Sequence, residues 1–121
     1  MNEPKIRAAF VLDSQKRPLF SDDGHHVHYR VKLWLEDAPS DAHTVTYKLH
    51  DSYAEPLREV RQGPHYEEEL TSYGDYVIKA LVRCKKDFDV VSAGLLSALR
   101  ETYVGNKNAE ISSALEVLES Q

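Results

Sequence analysis

Residues 24–35 read GHHVHYRVKLWL, and their alternation decides the fold class. Val27, Tyr29, Val31, Leu33 and Leu35 fall on one face of an extended chain, with His26, His28, Arg30, Lys32 and Trp34 on the other. Side chains repeat with period two in a strand, and one apolar face opposite a polar one describes a strand packed on a core from one side. The expected strand runs from His25 to Leu35.

The same period recurs on both sides of this segment. Lys5 to Leu12 is a first strand, stopped by the turn-forming DSQKRP from Asp13 to Pro18. HTVTYKLHD, from His43, sets Val45, Tyr47 and Leu49 against Thr44, Thr46, Lys48 and His50. Arg58 to Leu70 is interrupted by Gly63-Pro64, which predicts two short strands or one bent edge strand. Tyr76 to Arg83 turns Tyr76, Ile78, Ala80 and Val82 inward and Val77, Lys79, Leu81 and Arg83 outward. Short antiparallel strands at this spacing build a sandwich or a small barrel, with function gathered on loops at one end.

The period then changes. From Asp87 onward, Val91, Leu95, Ala98, Leu99 and Thr102 follow a helical stripe that stops at Gly105, a residue suited to a left-handed cap. Asn106 or Asn108 caps a second helix, in which Ile111, Ala114, Leu115 and Leu118 share a face. The expected division is therefore a β-sandwich over residues 1–85 and a helical hairpin appended to it over residues 86–121. Helices this short are marginal alone, so the stripe must pack on the sandwich, on a second copy of the chain or on a partner protein.

Composition limits the function. At 121 residues, 41% hydrophobic and 29% charged, the chain fits one soluble globular domain with a core of its own. Cys84 is the single cysteine, which excludes an intramolecular disulfide and a multi-cysteine zinc site and agrees with a reducing compartment. The net charge of -5 argues against a nucleic-acid partner, which needs a basic surface. No apolar run reaches the roughly 18 residues of a membrane span. MNEPKIRAAF lacks the apolar centre of a signal peptide, so the expectation is a cytoplasmic protein with no membrane partner.

Catalytic signatures are absent from the sequence. There is no Gly-x-Ser-x-Gly elbow and no Gly-rich phosphate loop, and Cys84, between Arg83 and Lys85, reads as a small strand residue whose thiol those cations would activate only if it were exposed. His26 and His28 share a strand face just after Asp22 and Asp23, a set chemically adequate for a divalent metal. A strand leaving a polar turn carries exposed imidazoles just as readily, so no metal and no cofactor are assigned. Glu67-Glu68-Glu69 reads as a solvated strand edge that also offers one side of an acidic surface to a basic peptide.

Two segments are not generic sandwich sequence. YKLHDSYAEP, Tyr47 to Pro56, ends a strand in His50, Asp51, Ser52 and Tyr53, and LTSYGDYVI, Leu70 to Ile78, puts Tyr73 and Gly74 just before the last strand. Each places an aromatic ring in a turn, where core burial is awkward. With the two turns adjacent, Tyr53 and Tyr73 would face each other across a slot; the alternative is that one of them is a packing residue of the tyrosine-corner kind.

LHDSYAEP, followed about twenty residues later by SYGDYVIKALV, resembles the paired signature of the YEATS domains. That pattern is roughly Leu-His-x-Ser-Phe-x-x-Pro and then Gly-aromatic-Gly-x-aromatic. The similarity extends back to GHHVHYRVKLWL, covers about residues 24 to 83, and points to the prokaryotic branch. The resemblance implies an immunoglobulin-like antiparallel β-sandwich and a non-catalytic module that reads acylated lysine, in prokaryotes as a sensor or adaptor of signalling or defence systems. It implies a ligand site at His50, Ser52, Tyr53, Ser72, Tyr73 and Gly74. Tyr53 and Tyr73 would be the walls, Ser52 would bond the acyl amide, His50 would fix Ser52, and the backbone at Tyr73 and Gly74 would meet the acyl carbonyl. The expected partner is an acylated peptide or protein, with a homodimer or partner contact through the helices as the alternative role. The chain departs from the pattern in three places: Tyr53 stands where Phe is usual, Ser72 stands where Gly is common, and the sequence beyond Arg83 reads as helix rather than a further strand.

Overall fold

The computed structural model describes residues 3–121. Eight strands come first: β1 (Lys5–Phe10), β2 (Phe20–Asp22), β3 (Val27–Glu36), β4 (Ala42–Lys48), β5 (Leu57–Val60), β6 (Glu68–Ser72), β7 (Val77–Cys84) and β8 (Phe88–Gly94). Helices α1 (Leu95–Thr102) and α2 (Ala109–Ser120) follow. All strand pairs are antiparallel, in two four-stranded sheets. In the first, β3 pairs with β1 and β2 and also with β6; the second runs β5-β4-β7-β8.

The alternation of the central strands sets the core. Val31, Leu33 and Leu35 of β3 are buried, as are Val45 and Tyr47 of β4 and Ile78, Ala80 and Val82 of β7. These apolar faces meet between the sheets, the arrangement expected of an antiparallel sandwich. At roughly 25 cal/mol per Å² of apolar surface removed from water, this layer is the main source of stability. The break predicted at Gly63-Pro64 does divide Arg58 to Leu70 into two strands, β5 and β6.

Two strands escaped the sequence reading. β2 is three exposed residues, too short to print an alternation. β8 is the larger correction: residues 88–94, expected as the start of a helix, form an edge strand paired with β7 from Arg83↔Phe88 to Val77↔Gly94. Phe88, Asp89 and Val90 are all exposed at this edge, so burial imposes little alternation on the sequence. Val91 then falls four residues before Leu95 and mimics a helical stripe. The chain thus does supply a further strand beyond Arg83, and the helical segment begins at Leu95 rather than at residue 86 or 87.

The helices bury their stripes on their own chain. Leu95, Ala98 and Leu99 of α1 and Ile111, Ala114 and Leu118 of α2 belong to the same core as the strands. Asn108, one of the two expected caps, accepts from the N–H groups of Glu110 and Ile111, and Gly105 has φ +75. Thr102 Oγ1 donates to Ala8 O (2.6 Å) and Phe10 N–H donates to Tyr103 Oη (2.9 Å). These side chains cover polar groups on the free edge of β1, which would otherwise template pairing with another chain. Between β8 and α1 the chain returns to the end of the sandwich where the two unusual turns lie: Leu95 N–H donates to Tyr76 O and Leu96 N–H to Asp75 Oδ1, both at 2.9 Å.

Candidate functional site

A cavity of about 400 Å³ opens at that end. His50, Ser52, Tyr53, Ser72, Tyr73 and Gly74 all line it, together with His28, Thr71, Asp75, Tyr76 and Gln121. The β4–β5 turn carries His50 to Tyr53, and the β6–β7 turn carries Tyr73 to Tyr76. The volume is within the range of sites that bury a small organic group.

One side of the cavity is fixed by hydrogen bonds. Tyr76 Oη donates to Tyr53 Oη (3.0 Å), which donates to Thr71 O (2.5 Å). Burial, reinforced by the bond to Tyr53, pushes the Tyr76 phenol far above its ordinary value, so it remains a neutral donor. The Tyr53 and Tyr76 rings meet at 5.8 Å between centroids, and His50 packs against Tyr76 at the same distance. Ser52 N–H donates to His50 Nδ1 (3.1 Å), and Ser52 Oγ lies 2.8 Å from the same nitrogen. A nitrogen that accepts from a backbone N–H holds its lone pair there, so the Ser52 hydroxyl also donates to it, leaving the Oγ lone pairs to accept.

Tyr73, 40% exposed, also lines the cavity. Its ring stacks on His26 (4.3 Å, 25° between planes) and meets the edge of His28 (5.2 Å, 70°). Asp23 holds the segment that carries them: Oδ1 accepts from the backbone N–H groups of His25 and His26, and Oδ2 lies 2.8 Å from the ring nitrogen Nε2 of His28. The His26 and His25 amides, with the His28 ring, depress the Asp23 carboxyl far below the ordinary carboxylate range. His26 and His28, the residues considered for a metal, thus pack against the ring of Tyr73. A third support comes from the end of α2. Gln121 bonds both backbone groups of Val27, accepting from N–H (2.9 Å) and donating to O (3.1 Å), and also donates to Tyr73 O (2.7 Å).

Ser72 is buried, and its hydroxyl donates to Gly74 O at 2.8 Å. It organises the Tyr73 turn instead of facing the cavity with a free hydroxyl. Elsewhere, Cys84 is buried, and burial, followed by the nearby Asp41, raises its thiol pKa, the opposite of what exposure beside Arg83 and Lys85 would have done. Away from the cavity, one cysteine and two carboxylates converge: Asp41, Cys84 and Asp87 offer ligand atoms within 4.8 Å of one another. Among those residues no helix is long and apolar enough to cross a membrane.

The prokaryotic YEATS domain model matches residues 29–91, just over half of the chain. The chain belongs to the prokaryotic YEATS domain family. No curated protein matches it. Among solved structures it is similar to the yeast AF-9 homolog protein Yaf9, with a TM-score of 0.53 at 18% identity over 77% of this chain and 68% of that one. It is likewise similar to the Yaf9 YEATS domain bound to H3K27ac, with a TM-score of 0.53 at 21% identity over 78% of this chain and 74% of that one. At such identities the likeness is one of fold.

Within the YEATS framework the departures acquire physical roles. The hydroxyl that Tyr53 carries in place of Phe is satisfied on both sides, by Thr71 O and Tyr76 Oη. The hydroxyl that Ser72 carries in place of Gly is consumed inside the turn. His28, Tyr76 and Gln121 are among the lining residues that sequence reasoning missed. His28 was legible as the polar face of β3, but Tyr76 was assigned to the core, and nothing local in LESQ links Gln121 to a turn 48 residues earlier.

Proposed function

We propose that this YEATS domain is a non-catalytic recognition module that holds an acylated lysine, or a similar small planar acyl group, between Tyr53 and Tyr73. The observation that carries the reading is one cavity lined by the rings of Tyr53, Tyr73 and Tyr76, with a serine hydroxyl bonded to an imidazole among its lining residues. Acylation converts an ammonium into a flat amide with an apolar cap, and aromatic rings suit that shape. Ser52 Oγ, its proton engaged by His50, accepts from the acyl amide N–H. The acyl carbonyl is assigned to the Tyr73 backbone N–H, because the Gly74 N–H is already directed at Ser72 Oγ (3.3 Å). An unmodified lysine would have to desolvate its charge and is rejected. A crotonyl group stacks more surface than an acetyl and gains about 0.5–1.5 kcal/mol. The role in the cell is that of a prokaryotic sensor or adaptor, acting in the cytoplasm on an acylated protein.

The test is an NMR titration with short peptides carrying unmodified, acetylated or crotonylated lysine, repeated on Ser52→Ala. Shifts at Ser52 and Tyr73 graded by acyl group and weakened by the substitution are expected. Equal response to all three peptides, or none at millimolar concentration, rejects the reading.

A further inference from the structure

The cavity does not end at its rim. His28 and Thr71, which line it, also line a groove of about 160 Å³ completed by Leu19, Phe20, Ser21 and Arg30. This groove lies on the outer face of the first sheet, where Thr71 is the register partner of Arg30 and Ser21 that of His28. The same face carries Lys5, Arg7 and Lys32, each ion-paired, to Glu101, Glu36 and Glu67 respectively. Arg30 is exposed and takes part in no ion pair among the described residues. Glu69, diagonal to it across β6, lies beyond ion-pair distance. In a chain with five more acidic than basic residues, the groove leading away from the slot therefore presents an unneutralised guanidinium.

Resting on the acyl-lysine reading above, we infer that the partner is an extended segment with an aspartate or glutamate two residues from the acylated lysine, seated on Arg30. The inference sets the segment along β3 with its acylated lysine entering the slot beside His28, which lines both the cavity and the groove. His28 and Arg30 are alternate residues on one face of β3, roughly 6.6–7 Å apart along the strand, the repeat of alternate side chains in an extended peptide. A guanidinium fork matches a carboxylate bidentately, and a lysine at the same position would meet like charge. The contact is at the surface, so its effect on affinity is modest, roughly two- to fivefold, while its effect on partner choice is directional.

The test uses acylated-lysine peptides with Glu, Gln or Lys at the second position, on either side, against wild type, Arg30→Gln and Arg30→Glu, each variant first shown folded by thermal melting. Wild type should prefer Glu over Gln over Lys, with the gaps shrinking as salt rises. Arg30→Gln should flatten the order and Arg30→Glu should reverse it. Acyl-dependent binding with no preference among the three peptides, or the same preference in all three proteins, overturns the inference and leaves the acyl reading standing. Binding that ignores the acyl group removes both.

Discussion

The two tyrosines proposed as walls of the slot are held by different physics. Tyr53 is half-buried, and its hydroxyl sits in a chain of hydrogen bonds from Tyr76 to the Thr71 carbonyl. Tyr73 stands out in solvent and is held by ring stacking on two histidines and by a backbone bond from Gln121. A wall fixed through its polar atom keeps its place whether or not a ligand is present. A wall fixed by stacking and by one distant side chain can be adjusted through its supports without changing the ring itself.

Substituting the two walls separates fold from binding. Tyr73→Ala is expected to lower affinity for an acylated peptide about tenfold, roughly 1.4 kcal/mol, while changing stability by less than about 0.5 kcal/mol, as for other exposed positions. Tyr53→Phe should do the reverse: it strips Thr71 O and Tyr76 Oη of a partner and costs about 1 kcal/mol in urea unfolding, with affinity preserved within about twofold because the ring remains. Equal profiles for both substitutions would break the distinction between the walls.

A smaller effect is expected at Gln121. Gln121→Glu keeps the shape and the acceptor for Val27 N–H but sets a carboxylate against the carbonyls of Val27 and Tyr73. Affinity should fall about threefold, and amide exchange at Tyr73 and Gly74 should quicken, measured by NMR. Unchanged exchange would mean that the imidazoles alone hold the wall. The smallest effect is that of acid. Because the folded protein depresses the Asp23 carboxyl, its contribution is complete above the ordinary carboxyl value of about 4 and declines as pH falls from there toward the lower folded value. Stability in urea unfolding should therefore begin to lose the Asp23 contribution only below about pH 4. In Asp23→Asn that part of the acid dependence should be absent.

Much of this was legible in the sequence. The two signature segments hold the cavity residues His50, Ser52, Tyr53, Ser72, Tyr73 and Gly74, and the alternation of residues 27–35 and 76–83 gave the right inward faces. β8 was not legible, because an edge strand with exposed Phe88, Asp89 and Val90 has no buried face to record. Tyr76 was read as core, and its ring does pack there in part, but its hydroxyl belongs to the slot.

The local sequence determined which residues form strands, where the turns fall and which chemical groups those turns carry, since alternation and turn chemistry act over a few residues. Only the tertiary structure decided what stands next to what. The stacking of His26 on Tyr73, the capping of β1 by Thr102 and Tyr103, the reach of Gln121 to Val27 and Tyr73, and the opening of the slot onto Arg30 join residues far apart in the chain. The first and the last follow from the antiparallel pairing of β3 with β6, and the other two from packing a buried helical stripe against the sandwich, which brings Gln121 back to the β6–β7 turn.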